Sequence, residues 1–112
     1  METASWQAQL RKGAAELVVL SILGRGEAYG LQILQMANEA GELVTDGALY
    51  PLLGRLEKGG KIMARWIIPE GSGNPRKYYR LTPDGERMAV DMRRIWMAFR
   101  QNISALVEEE DA

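Results

Sequence analysis

A chain of 112 residues is the length of one ordinary domain, and with 46% hydrophobic residues it can bury a core, although a domain this small gains from pairing with a second copy. It contains neither Cys nor His, which removes disulfides, thiol chemistry, the commonest metal ligand and the commonest general base. No zinc site and no cofactor are expected, and with no acid–base pair or nucleophile constellation in view the chain does not read as an enzyme. The net charge of −1 hides an uneven distribution. Residues 1–45 hold three Lys/Arg against five Asp/Glu, residues 46–80 seven against three, and residues 81–112 four against seven. A basic middle between acidic ends can mark a local phosphate contact, or arise by chance. No apolar run is long enough to span a membrane, and the start, Met1 to Ser5, has neither the basic nor the apolar region of a signal peptide, so a cytoplasmic location is expected.

The first predicted helix covers about residues 10–23, with Leu10, Ala14, Leu17, Val18, Ser21 and Ile22 on one face at helical spacing. Gly24 and Gly26 break the chain. A second helix over about residues 28–40 offers Leu31, Ile33, Leu34 and Ala37 to the core and stops at Gly41. Thr45 and Asp46 are both suitable N-caps for a third helix over roughly residues 46–58, whose stripe is Leu49, Leu52, Leu53 and Leu56 and whose end is Gly59-Gly60. Two short helices joined by a tight turn form a helix-turn-helix, the second helix being the one that enters the major groove.

The period then changes to alternation. Ile62, Ala64, Trp66 and Ile68 point one way, and Met63, Arg65 and Ile67 the other. Arg76, Tyr78 and Arg80 alternate with Lys77, Tyr79 and Leu81, and the turn-forming stretch from Pro69 to Pro75 lies between the two runs. This is a β-hairpin, and a hairpin after a recognition helix is a wing. At least one of Tyr78 and Tyr79 must face inward, and Trp66 reads as packing.

Thr82-Pro83 opens the last helix, with Thr as N-cap, Pro at the first helical position, and Asp84 and Glu86 at the positive end of the dipole. Met88, Met92, Ile95, Phe99, Asn102 and Leu106 follow a four-three spacing to about Val107, a heptad seam with one polar position. The seam needs a partner, and the same helix of a second copy, together with that copy's first helix, supplies one. Met88, Met92, Ile95, Trp96, Phe99, Ile103 and Leu106 are the expected dimerisation residues. The expected fold is thus α+β and mostly helical: a winged helix-turn-helix over residues 1–82 and a C-terminal dimerisation helix with an acidic tail over residues 83–112. The tail run Glu108-Glu109-Glu110-Asp111 reads as solvated.

Candidate DNA contacts follow from these positions. Thr45, Asp46, Gly47, Ala48 and Tyr50 lie at the end of the recognition helix that should face DNA, where small residues permit close approach and free N–H groups can hold a phosphate. Tyr50 either reaches a phosphate or base methyl or packs against the wing. Arg55 and Lys58 are backbone contacts or ordinary solvated charges. Asn74, Arg76 and Lys77 in the wing can lean over a phosphate backbone or minor groove, with Lys61 and Arg65 adding to the field, or the hairpin is simply charged and exposed.

The stretch from Gly47 to Gly60, GALYPLLGRLEKGG, resembles the recognition helix of PadR-like transcriptional regulators, and the stretch from Asn74 to Gly85, NPRKYYRLTPDG, resembles their wing strand and following turn. Ala28-Tyr29-Gly30 fits the start of their second helix. Gly54 and Asn74 depart from the pattern. The single last helix is similar to the branch that includes multidrug-sensing repressors, in which a Trp of that helix meets its dimer mate across flat hydrophobic ligands. The resemblance implies a homodimer on double-stranded DNA, repression at an inverted repeat with half-sites resembling ATGT, and a planar hydrophobic effector at Trp96, walled by Met88 and Met92, with Met97 near. Trp96 otherwise simply fills the dimer core. The rival function is a winged-helix module that binds a protein and no DNA, which the net acidity favours.

Overall fold

The structure is a computed structural model that describes residues 2–71 and 73–108. The chain runs α1 (Thr3–Leu23), β1 (Ala28–Tyr29), α2 (Gly30–Ala37), α3 (Asp46–Lys58), β2 (Ile62–Ile67), β3 (Arg76–Leu81) and α4 (Pro83–Val107). Three antiparallel strands form one sheet in the order β1-β3-β2, with Ala64 and Ala28 both opposite Tyr79. This is the winged helix-turn-helix: α2 and α3 are the paired helices, and β2, β3 and the segment between them are the wing.

The core is built where α1, α2, α3 and the sheet converge. Val19, Leu20, Ile33 and Leu49 are fully buried, with Leu52, Leu53 and Ile62 beside them and Ala89 of α4 and Tyr79 of β3 closing the cluster. Shortening any one of these large aliphatic side chains to Ala leaves a cavity costing about 2–5 kcal/mol. The leucine stripe of α3 is buried as its spacing predicts. Tyr79 is the inward-facing tyrosine, and Tyr78 lies half-buried on the other face of the strand.

The first two helices depart from the sequence expectation. α1 begins at Thr3, well before residue 10, and its buried residues are Val19, Leu20, Ile22 and Leu23. Leu10 is exposed, and Ala14, Leu17, Val18 and Ser21 are half-buried. Leu10, Ala14 and Leu17 thus belong to a second apolar face of α1, turned toward α4, while Ile22 lies in the core and Val18 packs against it. Ala28 and Tyr29 are not helical; they pair with β3, and α2 starts only at Gly30. The cause is cross-strand pairing, a tertiary term that local periodicity does not contain. Leu31, expected in the core, is exposed, and Trp66, read as packing, is 67% exposed on β2.

α2 ends at Ala37 because Asn38 leaves the helix and holds the turn. Its Nδ2 donates to the Val44 carbonyl at 2.8 Å, and its Oδ1 accepts from the N–H groups of Leu43 (2.8 Å) and Val44 (3.0 Å). One side chain thus fixes the approach of residues 38–45 to α3.

The start of α4 is fastened to the end of α3. The Thr82 hydroxyl accepts from Gly85 N–H at 3.0 Å and donates to the Gly60 carbonyl at 2.6 Å, while Thr82 N–H donates to the Lys61 carbonyl at 3.1 Å. Gly85 rests so closely on that carbonyl that an added Cβ would overlap the Lys61 backbone. Met88 and Met92 continue the contact with the core, whereas α4 beyond them leaves Ile95, Trp96, Phe99, Ile103, Leu106 and Val107 exposed.

Candidate nucleic-acid interface

Thr45 caps α3: its side chain accepts from Ala48 N–H at 3.2 Å, and the Asp46 carboxylate accepts from Gly47 N–H at 2.9 Å. The sequence reading left the amides at this end free for a phosphate. The structure corrects that, because the Gly47 and Ala48 amides are already engaged by these two side chains. With the four leucines turned inward, helical geometry leaves Gly47, Pro51, Gly54 and Lys58 along the outward face, all exposed. Pro51 lies inside the helix and has no N–H to give the Gly47 carbonyl, so that acceptor stays available at the exposed end. An added Cβ would meet nothing within 4 Å at Gly47 or Gly54, so the fold itself does not demand glycine at either position.

Tyr50 stands at one edge of that face, 51% exposed. Its ring lies over Gly30 at the start of α2, where a Cβ would come within 2.7 Å of the Tyr50 Cε1. The glycine after Tyr29 is therefore a close-approach position, and it joins the two helices of the motif at their exposed ends. Arg55 and Lys58 are exposed on the second half of α3 without an ion-pair partner among the described residues.

The wing cations have been given tasks inside the fold. Lys77 Nζ pairs with Glu57 of α3 at 3.1 Å and sits over the Tyr79 ring, and the bond to Glu57 holds the Lys77 pKa above its ordinary value. Lys61 pairs with Asp84, whose pKa it lowers, with Arg87 adding to the effect. Arg65 of β2 forms a two-pronged bond to Glu27 in the turn after α1, Nε to Oε2 at 2.8 Å and Nη2 to Oε1 at 2.7 Å, and this bond lowers the Glu27 pKa. Arg76 stays exposed but places its guanidinium 4.7 Å above the Tyr29 ring, which meets Tyr78 edge-on at 5.3 Å. Asn74 is exposed in the segment between β2 and β3. Sequence reading did not single out Asn38, Glu27 or Glu57. Asn38 had a legible signal, an Asn just after the last apolar residue of a helix; the two glutamates had none, since their partners lie 38 and 20 residues away.

A separate apolar cleft of about 370 Å³ opens between α1 and α4, lined by Leu10, Ala14 and Leu17 on one side and Met92, Trp96 and Phe99 on the other. The structure brings Trp96 and Met92 together there and places Met88 earlier on α4, against the core. Met97 lies on the far side of Trp96, in a neighbouring groove with Arg93 and Arg100. Of the acidic tail, only Glu108 falls within the described residues.

An exposed recognition helix between a wing and a capped turn defines a winged-helix, DNA-binding class of regulator. The sequence profile of the transcriptional regulator PadR-like family matches residues 19–90, and the chain belongs to that family. It is 30% identical over 86 residues to the transcriptional regulator Rv3488 of Mycobacterium tuberculosis, covering 77% of this chain and 78% of that protein. Among solved structures, the PadR-like transcriptional regulator BC4206 of Bacillus cereus superposes with a TM-score of 0.81 at 28% identity, over 91% of this chain and 99% of that one. The PadR family regulator of Eggerthella lenta does so with 0.79 at 31% identity, over 96% and 94%. No helix among the described residues is long and apolar enough to cross a membrane.

Proposed function

We propose that the chain represses transcription as a homodimer on an inverted-repeat operator, with residues 1–82 reading DNA and α4 joining the two copies. The observation that carries this reading is a recognition helix open along Gly47, Pro51, Gly54 and Lys58, on a protomer whose last helix leaves its apolar seam uncovered. Ile95, Phe99 and Leu106 are 67%, 56% and 86% exposed. Together with Leu10 of α1 they make an apolar surface that a lone protomer has reason to bury. A second copy buries it, and two-fold symmetry then sets two recognition helices at a fixed separation, which an inverted repeat matches.

Thr45, Asp46, Ala48 and Tyr50 border the groove-facing end of α3, while Arg55, Lys58, Asn74 and Arg76 flank the phosphate backbone, and Lys77 and Lys61 add to the field from their ion pairs with Glu57 and Asp84. The α1–α4 cleft suits a flat aromatic effector held by Trp96, with Met92 as an adaptable wall and Met88 behind it. Such a ligand changes the separation of the two recognition helices and so weakens binding.

The test is an anisotropy titration against the DNA upstream of the chain's own gene at several salt concentrations. A dimeric regulator binds tightly and loses affinity steeply as salt rises; binding without sequence preference and without salt dependence contradicts the reading. The effector has its own test. Planar aromatic compounds quench tryptophan fluorescence, and Trp96→Ala abolishes the response; quenching that persists in the variant places the pocket elsewhere.

A further inference from the structure

Three of the seven basic residues in the stretch 46–80 are committed within the fold, since Lys61, Arg65 and Lys77 each carry an acidic partner. Charge for a phosphate backbone must then come largely from cations left unpaired. Three of these meet at one place. Arg11 and Lys12 of α1 and Arg55 of α3 line a cleft of about 450 Å³ beside the first half of the recognition helix, together with Thr45, Ala48 and Pro51. No acidic residue lines the cleft, and none of the three cations has an ion-pair partner among the described residues. The cleft includes Pro51, which belongs to the outward face of α3, so its mouth opens next to that face.

The position on α1 matters as much as the charge. At about 100° per residue, Ala8, Arg11, Lys12 and Ala15 occupy one side of α1, and Leu10, Gly13, Ala14 and Leu17 the opposite side. A second copy that covers the apolar side therefore leaves the basic side open. We propose that Arg11 and Lys12, with Arg55, form a phosphate-binding clamp through which α1 grips the DNA backbone alongside the recognition helix. The clamp rests on the DNA-binding reading above and extends the interface to a helix outside the helix-turn-helix and wing. Its ligand is the sugar–phosphate backbone of a duplex, so it adds affinity and register and not sequence choice.

The test uses the full chain and a random-sequence duplex, followed by anisotropy from about 50 to about 200 mM salt. Each lost phosphate contact lowers the slope of log affinity against log salt by about 0.9, so Arg11→Ala/Lys12→Ala reduces it by roughly 1.8 per bound protomer. The charge-conserving Arg11→Lys/Lys12→Arg keeps the wild-type slope. Circular dichroism of both variants should match wild type, as neither side chain is in the core. An unchanged slope in the alanine variant overturns the clamp while leaving DNA binding intact. So does an equal loss in the charge-conserving variant, which assigns the effect to structure and not to charge. Absence of salt-dependent binding by the wild type to any duplex overturns the DNA reading and the clamp with it.

Discussion

Glycines at Gly54 and Gly85 sit in helices of the same chain for opposite reasons. At Gly85 a side chain meets the Lys61 backbone, so Gly85→Ala forces α4 away from the end of α3 and destabilises the protein by about 1–3 kcal/mol, read from denaturant midpoints. At Gly54 a side chain meets nothing, and Gly54→Ala is expected to raise stability by up to about 1 kcal/mol through helix propensity. The same variant sets a methyl group on the face offered to DNA, so its affinity for the operator should fall while its melting temperature rises. Asn38 is the third informative residue. Asn38→Ala strands the amides of Leu43 and Val44 and the Val44 carbonyl, and should cost about 1–3 kcal/mol, with exchange of the Val44 amide accelerated in hydrogen-exchange measurements. Asn38 was read as part of a helix running to about residue 40, and its three bonds were not legible, because they depend on where residues 43 and 44 are brought by the packing of α3.

Between elements, ion pairs join what the sequence separates: Glu27 to Arg65, Glu57 to Lys77 and Lys61 to Asp84. Glu27 and Asp84 have folded-state pKa values below the ordinary carboxylate value. Their contribution to stability is therefore present above that ordinary value and is lost as pH falls through the lowered folded-state pKa. Lys77 behaves in the opposite sense, contributing below the ordinary lysine pKa and ceasing to do so as pH rises through its raised one. Side-chain NMR should show Glu27 titrating below the ordinary glutamate value, and Arg65→Met should return it to the ordinary range; an unshifted Glu27 in the wild type contradicts the pairing. The extents of α3 and α4, the wing and both helix caps were legible in the sequence, because a leucine stripe, alternating strands and Thr-Pro carry strong local signals. β1 was not, since two residues become a strand only by lying beside Tyr78 and Tyr79. The inner face of α1 was read only in part, with Ile22 and Val18 but without Val19, Leu20 and Leu23, because the helix is apolar on two sides and periodicity cannot say which side faces inward.

For the whole molecule, segment charge proved a poor guide to surface charge. The basic middle identified the region that carries α3 and the wing, yet Lys61 and Arg65 are bound to acids from other segments, Lys77 is bound to Glu57 within its own, and Arg11 and Lys12 were hidden within a segment of net negative charge. The seam of α4 was legible as a heptad, and the structure locates the stretch from Ile95 onward beyond the protomer's own core. Replacing Phe99 or Ile103 by Asp should therefore leave the winged helix folded and shift sedimentation from dimer to monomer, with loss of operator affinity. A variant that still sediments as a dimer moves the interface off α4. The measurement that tests the account as a whole is selection of bound duplexes from a random pool by the full-length protein. The account predicts enrichment of an inverted repeat whose half-sites lie about one helical turn, 10–10.5 base pairs, or a multiple of it, apart. A pool that emerges without enriched sequence, or with a single unrepeated site, contradicts a dimer that reads DNA through paired recognition helices.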